Sequence, residues 1–181
     1  KGEGREGVEQ VITSTGLYEC IEEGMKAIKW KEKREKYRHQ TGPLRRGLGM
    51  CGLMQGSGIP EVDMGCATIK MNEDGSFNLL MGAADLGTGS DTVLAQMAAE
   101  VLGVPLEDII CYSSDTDFTP FDKGAYASST TYISGTAAVR AAEIVAEKIK
   151  ARASAMFAVS GLSVEPAALK LSNRQVLAPN G

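Results

Sequence analysis

The first part of the chain carries apolar residues at the spacing of an amphipathic helix. From Thr15 onward they recur every three or four positions, at Leu17, Cys20, Ile21, Met25 and Ile28. This spacing places them on one helix face, and Ser14 or Thr15 can serve as the N-cap. We expect one helix that ends in the basic segment before Gly42-Pro43. Residues 1–14, rich in glycine and charge, are predicted to be a flexible lead-in.

Two strand patterns follow this helix. Residues 47–55 alternate small and apolar side chains, which suits a strand whose glycines let another backbone approach closely. Residues 67–71 and 76–81 flank Asn72-Glu73-Asp74-Gly75, a turn sequence typical of hairpins. The sequence therefore predicts a strand at 47–55 and a β-hairpin at 67–81.

The middle of the chain twice shows the order strand, loop, helix. In the first unit, the glycine-rich loop Asp85–Asp91 leads into a helix that ends at Gly103. In the second, an apolar strand at Ile109–Tyr112 and a polar loop at 113–126 precede Ser128–Thr131, where a long alanine-rich helix begins and runs to about Phe157. Its predicted inner stripe consists of Ile133, Ala137, Ala141, Ile144, Val145 and Ile149.

The last part of the chain contains only short elements. Segments at 162–165, 169–171 and 175–177 are predicted to be strands or turns, the last two joined around Ser172-Asn173-Arg174. Together these elements predict an α+β fold, a two-layer arrangement of helices packed on one side of a mixed β-sheet. We expect residues 15–181 to be part of one domain.

Composition narrows the class of function. A chain of 181 residues with 43% hydrophobic residues can bury one core. Its formal net charge of -4 does not provide the positive field of a nucleic-acid binder. No apolar stretch approaches the roughly 20 residues that cross a bilayer, and no leader sequence opens the chain. We therefore expect a cytoplasmic protein that binds neither nucleic acid nor membranes.

The two ends of the sequence indicate an excerpt from a longer polypeptide. The chain begins at Lys1 rather than at methionine, and it stops at Asn180-Gly181. An Asn-Gly dipeptide normally joins two strands of a hairpin. We therefore expect the domain to be truncated at both ends.

Two loop-to-helix junctions are the best candidates for binding chemistry. A helix N-terminus offers unpaired amides and a partial positive charge, and both suit an anionic ligand. The first junction is Gly87-Thr88-Gly89, and the second is Ala127-Ser128-Ser129-Thr130-Thr131. Hydroxyl residues at a helix start commonly cap the helix, so capping stays open as their alternative role.

Other familiar sites are disfavoured by the sequence. The glycine-rich loop fits neither the phosphate-binding P-loop nor the dinucleotide pattern G-x-G-x-x-G. The single histidine, His39, lies in a basic and exposed stretch, so histidine-based triads and histidine-rich metal sites are excluded. The four cysteines never pair as C-x-x-C, and the acidic residues near the loops lack the spacing of a calcium site.

Five motifs, in order and spacing, resemble a known family. They are Arg46-Gly47-Leu48-Gly49-Met50, the hairpin around Asn72–Ser76, Gly82–Gly89, Leu102-Gly103-Val104-Pro105, and Ala127–Thr131 continued to Gly135. Together they are similar to the second molybdopterin-binding region in the large subunit of xanthine dehydrogenases and aldehyde oxidases, which are molybdenum hydroxylases. The resemblance spans most of residues 15–177.

The resemblance implies a cofactor site and an activity. In that family the corresponding turns give backbone amides and hydroxyls to the pterin and its phosphate. The implied cofactor-binding residues are Gly87, Thr88, Gly89, Ala127, Ser128, Ser129, Thr130 and Thr131. The family usually has Gln where this chain has Thr88. The loop 56–60 aligns with a segment that lines the substrate channel, where this chain has Ile59 and Pro60 in place of an aromatic residue and Thr.

The family also implies a cofactor, partners and a reaction. The cofactor is molybdopterin with molybdenum, whose tail can be a cytosine dinucleotide, and it works with iron-sulfur and FAD subunits or domains on an N-heterocycle or aldehyde. The family's catalytic glutamate lies beyond the matched region, so no catalytic residue and no metal ligand are expected in this chain. We expect a fragment of such an oxidoreductase that by itself is inactive and holds no cofactor. The alternative is an accessory or interaction domain that keeps the fold without the cofactor.

Overall fold

The computed structural model of the protein describes residues 14–53, 55–56 and 62–179. The chain divides into two compact units, residues 1–54 and residues 55–181. The first unit contains helices α1 (Leu17–Ala27) and α2 (Trp30–Arg38). The elements of the second unit are β1 (Ala67–Met71), β2 (Phe77–Met81), α3 (Ser90–Leu102), β3 (Ile109–Ser113), α4 (Thr130–Val159), β4 (Lys170–Ser172) and β5 (Gln175–Leu177).

The single helix predicted at the start of the chain is wrong, because the structure breaks it into α1 and α2. The backbone turns left-handed at Lys29, with a φ of 54°. The apolar periodicity ends at Ile28, and the α2 sequence that follows has no apolar stripe to continue the α1 face. The N-cap of α1 is Gly16, although Thr15 Oγ1 accepts a hydrogen bond of 3.3 Å from the Leu17 amide.

The strand predicted at residues 47–55 is also wrong for the residues that the structure describes. Residues 47–53 and 55 form no strand, and the two sheets are built from β1 to β5 alone in the described part of the chain. Gly47, Gly49 and Gly52 lose more backbone entropy in a strand than other residues do. Without a paired neighbour, no ladder of hydrogen bonds offsets that cost.

The sheet of the second unit is mixed and has β2 at its centre. β1 and β2 are antiparallel, with Ala67 opposite Met81, as the predicted hairpin requires. Its turn has the Gly75 amide bonded to the Asn72 carbonyl at 3.2 Å, and Gly75 takes a φ of 87° that glycine adopts without strain. β3 pairs with the other edge of β2 in parallel. The predicted hairpin is therefore confirmed, and α3 forms the crossover between β2 and β3.

Helices α3 and α4 cover one face of this sheet. The side chains of Phe77, Leu79 and Met81 point into the core and are buried. α4 meets the core through Ser134, Gly135, Ala138, Ala142 and Ala146. In the predicted inner stripe, Val145 and Ile149 do pack against this core, whereas Ile144 is exposed. The fully buried positions lie one place after the predicted Ile133, Ala137 and Ala141. Small residues face inward because they allow α4 to approach α3 closely.

The short hairpin of β4 and β5 packs near the end of α3. Asn173 and Arg174 form its two-residue turn with φ values of 48° and 62°, as in a type I′ turn. The Arg174 amide donates to the Gly103 carbonyl at 3.1 Å, and its guanidinium donates to both oxygens of Asp108, at 2.6 and 3.0 Å. The strand considered for residues 162–165 does not form.

The predicted α+β fold class is confirmed, with helices on one side of a mixed sheet. Within the described residues, no helix combines the length and apolar character needed to span a bilayer.

Candidate functional site

The two candidate loops leave the carboxyl ends of neighbouring parallel strands. We call residues 82–89, which follow β2, the glycine loop, and residues 114–129, which follow β3, the serine loop. Carboxyl ends of adjacent parallel strands lie at one edge of a sheet, where open α/β sheets bind ligands. The Ser114 amide donates to the Met81 carbonyl at 3.1 Å, and its hydroxyl donates to the Ala83 carbonyl at 3.2 Å. The loops are thus fixed side by side.

A cavity of about 400 Å³, which we call the cleft, lies between the two loops. Four of the eight predicted site residues line it: Thr88, Ser128, Thr130 and Thr131. Ser90 also lines it, and Leu86, Val93, Ala125 and Tyr126 complete the wall. Gly87, Gly89, Ala127 and Ser129 are not among the lining residues. The predicted substrate-channel residues, Ile59 and Pro60, lie outside the described residues.

The amides of the glycine loop are already bonded within the chain. Asp85 Oδ1 accepts hydrogen bonds from the Gly87 amide at 2.8 Å and the Gly89 amide at 3.2 Å, while Oδ2 accepts from the Asp91 amide at 3.4 Å. These bonds, chiefly the one from Gly87, hold the pKa of Asp85 below its usual value. An internal carboxylate therefore takes the place at the start of α3 that an external anion would need.

The hydroxyls of the serine loop have different surroundings. Ser129 is buried, and its hydroxyl donates to the Tyr126 carbonyl at 2.8 Å, which the Ser129 amide also reaches at 3.1 Å. The Ser128 hydroxyl accepts a bond of 2.8 Å from the side chain of Gln55. Ala127 and Ser128 adopt φ values of 50° and 53°, which are uncommon for residues other than glycine. The hydroxyls of Thr130 and Thr131 have no bonded partner within the described part of the chain.

The N-terminus of α4 opens on the cleft without a cap. No side chain caps it, and its first turn contains no acidic residue. The first-turn amides of Thr130, Thr131 and Tyr132 have no hydrogen-bond acceptor among the described residues. The lining side chains carry no formal charge. Unpaired amides and the positive end of a 30-residue helix favour an anion at this position.

Ser90 lines the cleft but was not among the site residues predicted from the sequence. It is the first residue of α3 and only 5% exposed. Its hydroxyl has no hydrogen-bond partner among the described residues. Buried polar groups in folded proteins are almost always paired, so the unpaired hydroxyl makes Ser90 a candidate for a role beyond packing. The sequence signal, a serine at a helix start, suggests only a cap.

One aromatic residue closes the cleft beside the serine loop. The Tyr126 side chain is hydrogen-bonded to the Asp63 carboxylate, which raises the pKa of the phenol. Tyr126 is therefore neutral at physiological pH. Serine and threonine hydroxyls, unpaired amides and a neutral aromatic wall fit an organic ligand that carries an anionic group.

Comparisons with known proteins identify the family of the chain. The family model of the molybdopterin cofactor-binding domain matches residues 23–179. The putative xanthine dehydrogenase molybdenum-binding subunit of Escherichia coli K12 is 41% identical over 156 residues, covering 84% of this chain and 21% of that protein. The probable hypoxanthine oxidase of the same organism is 46% identical over 136 residues, covering 75% of this chain and 14% of that protein.

Solved structures show the same relationship. The crystal structure of quinoline 2-oxidoreductase from Pseudomonas putida 86 superposes with a TM-score of 0.60 and 30% identity, over 66% of this chain and 14% of that chain. The copper- and molybdenum-containing CO dehydrogenase superposes with a TM-score of 0.51 and 28% identity, over 84% of this chain and 19% of that chain.

The chain spans about a fifth or less of the length of these relatives. The family match covers most of the 181 residues, including both loops and the helices that follow them. The resemblance found in the five sequence motifs is thereby confirmed, and the chain belongs to the molybdopterin cofactor-binding domain family of molybdenum oxidoreductases.

Proposed function

We propose that this chain is the segment of a molybdenum hydroxylase, similar to xanthine dehydrogenase, that holds the molybdopterin cofactor in the cleft. The observation that carries the proposal is the N-terminus of α4. It opens on the cleft with unpaired amides, hydroxyl side chains and no carboxylate in its first turn.

The two loops have different roles in this proposal. The amides of Thr130, Thr131 and Tyr132, with the hydroxyls of Thr130 and Thr131, bind the anionic phosphate of the cofactor. Thr88 and Ser128 contribute side chains to the wall. Gly87, Gly89 and Ala127 set the backbone shape, and Ser129 holds the serine loop through the Tyr126 carbonyl.

In this proposal the chain positions the cofactor and provides its polar surroundings. When bound, molybdopterin with molybdenum supplies the redox chemistry that hydroxylates an N-heterocycle or an aldehyde. No carboxylate or histidine lines the cleft within the described residues, so we assign no general base and no catalytic residue to this chain. Ile59 and Pro60 remain the proposed contacts with the substrate channel.

The rest of the assembly follows from the same proposal. Two of the relatives are named as molybdenum-binding subunits, which supports further subunits that carry iron-sulfur clusters and FAD. We propose a cytoplasmic enzyme with molybdopterin, whose tail can be a cytosine dinucleotide, as cofactor.

Two hydroxyl deletions test the assignment in the full-length enzyme that carries this chain. Thr130→Val removes a hydroxyl that faces the cleft and is expected to lower cofactor occupancy, since a hydrogen bond to a charged group contributes about 1.5 to 3 kcal/mol. Ser129→Ala removes a buried internal bond and is expected to lower the thermal midpoint, at a cost of about 1 kcal/mol, while cofactor content changes little.

The molybdenum content and the thermal midpoint of both variants show whether the N-terminus of α4 binds the cofactor. Full molybdenum content in Thr130→Val would contradict the assignment. It would favour instead a domain that keeps the fold without binding the cofactor through this helix.

A further inference from the structure

Ser90 occupies a position where a serine hydroxyl is costly. The side chain is 95% buried, since only 5% of it is exposed, and its oxygen has no partner within the described part of the chain. Leaving a buried hydroxyl unpaired destabilises a folded protein relative to an apolar residue of similar size. Alanine at this position would remove that penalty and also favour the helix.

The Ser90 hydroxyl is not hydrogen-bonded to any of the neighbouring polar groups that the structure describes. The start of α3 is satisfied by Asp85, whose two oxygens accept from the amides of Gly87, Gly89 and Asp91. The next side chain, Asp91, has its Oδ2 bonded to the Ser113 hydroxyl at 3.0 Å, and its buried Oδ1 has no hydrogen-bond partner among the described residues, so it does not pair with Ser90 either. Ser90 therefore neither caps α3 nor links the two loops.

The cleft is where an acceptor for this hydroxyl can come from. Ser90 lines the same cavity of about 400 Å³ as Thr130 and Thr131, whose amides are unpaired. Ser90 belongs to the α3 wall of the cavity, and Thr130 and Thr131 belong to its α4 wall. A ligand with anionic oxygens that enters the cavity can accept hydrogen bonds from both sides.

We propose that Ser90 is a cofactor-binding residue of this chain, whose hydroxyl donates a hydrogen bond to an anionic oxygen of the cofactor in the cleft. This inference rests on the proposed function, because it needs the cofactor in that cavity. The unpaired hydroxyl destabilises the cofactor-free fold. It gains a hydrogen-bond acceptor only when the cofactor binds.

The test compares Ser90→Ala with Ser154→Ala in the full-length holoenzyme. Ser154 is half-buried, and its hydroxyl has a partner outside both loops, the Val164 carbonyl at 2.6 Å. The cofactor retained after gel filtration is measured from molybdenum content and from the fluorescence of the released, oxidised pterin. The thermal midpoint is measured on cofactor-free protein.

Opposite signatures are expected from the two variants. Ser90→Ala should lose cofactor about tenfold faster than the wild type, with a cofactor-free thermal midpoint that is unchanged or higher. Ser154→Ala should lower that midpoint and keep the cofactor as the wild type does.

Three outcomes would overturn the assignment of Ser90. Wild-type retention in Ser90→Ala, together with cofactor loss in Thr130→Val, would mean that only a water molecule satisfies the hydroxyl, while the cleft still binds the cofactor. A lowered cofactor-free midpoint in Ser90→Ala would mean that the hydroxyl is a structural element of the fold. Wild-type retention of the cofactor in both Ser90→Ala and Thr130→Val would contradict the proposed function as well as this inference.

Discussion

At the residue scale, Asp85 organises the glycine loop. Its exposed carboxylate accepts from three amides at the start of α3. Because these bonds favour the charged form, the pKa of Asp85 in the folded protein lies below the usual 3.8. The unfolded chain therefore binds the proton more readily, and Asp85 stabilises the fold above the unfolded pKa. That stabilisation is lost as the pH falls through the folded pKa.

Asp85→Asn should reveal this contribution through its pH dependence. The variant is expected to have a lower thermal midpoint than the wild type at pH 7, because the amides lose their charged acceptor. The difference should shrink below about pH 4, where the wild-type carboxylate also becomes protonated. Asp117→Asn in the serine loop is the control and should follow the wild type. A constant gap between wild type and Asp85→Asn from pH 7 to pH 2.5 would show that the charge is not involved.

The hydroxyl residues show what the sequence could not predict at this scale. The sequence shows three similar hydroxyl residues at the start of a helix, Ser128, Ser129 and Thr130. In the structure their environments differ. The left-handed backbone at Ala127 and Ser128 determines which of the three is buried and which lines the cleft. Left-handed φ values at two consecutive residues without glycine have no sequence signature. The positions of the two junctions were predictable, but the role of each hydroxyl was not.

At the element scale, helices and strands with strong local sequence signals were predicted correctly, whereas features that depend on tertiary packing were not. The hairpin of β1 and β2, the end of α3 at Gly103 and the span of α4 follow from turn chemistry, glycine at a helix end and periodicity. The strand at 47–55 failed because pairing depends on a partner that the local pattern does not contain. Val145 and Ile149 of the predicted α4 stripe pack against the core, but Ile144 does not, because the close approach of α4 to α3 places small residues at the fully buried positions.

Gly82 lies where the end of β2 contacts the serine loop of the site. A Cβ at this position would lie 2.3 Å from the Pro120 carbonyl oxygen, so the serine loop passes directly against the end of β2. Gly82→Ala is expected to cost about 1 to 3 kcal/mol of stability, as overpacking does, and to lower cofactor content by displacing the serine loop.

Gly24→Ala is the matched control, since a Cβ there would meet nothing within 4 Å. In the interior of α1 it should preserve stability or raise it by up to about 1 kcal/mol. Thermal unfolding of both variants checks the contrast. A Gly82→Ala protein with wild-type midpoint and cofactor content would contradict the close packing of the two loops.

At the scale of the whole molecule, topology makes the site. β2 and β3 are parallel neighbours, so the glycine loop that follows β2 and the serine loop that follows β3 meet at one sheet edge. The sequence predicted the two strand, loop, helix units but not which strands pair in parallel, because pairing depends on tertiary packing. The family resemblance in the motifs supplied the identity of the cofactor, which local physical chemistry could limit only to an anion.

The central claim is that the N-terminus of α4 binds the anionic part of molybdopterin. The most direct test is the cofactor content of Thr131→Glu in the full-length enzyme, compared with Thr131→Gln. Thr131 is exposed and lies in the first turn. A carboxylate there interacts favourably with the helix dipole, by about 0.3 to 1 kcal/mol, so the fold is not weakened. We expect Thr131→Glu to lose most of its molybdenum and pterin, with a thermal midpoint of the cofactor-free protein at or above wild type, while Thr131→Gln, which lacks the hydroxyl but adds no charge, loses clearly less cofactor than Thr131→Glu. Full cofactor content in Thr131→Glu would contradict the claim, because an anionic cofactor cannot share that helix end with a glutamate without loss of affinity.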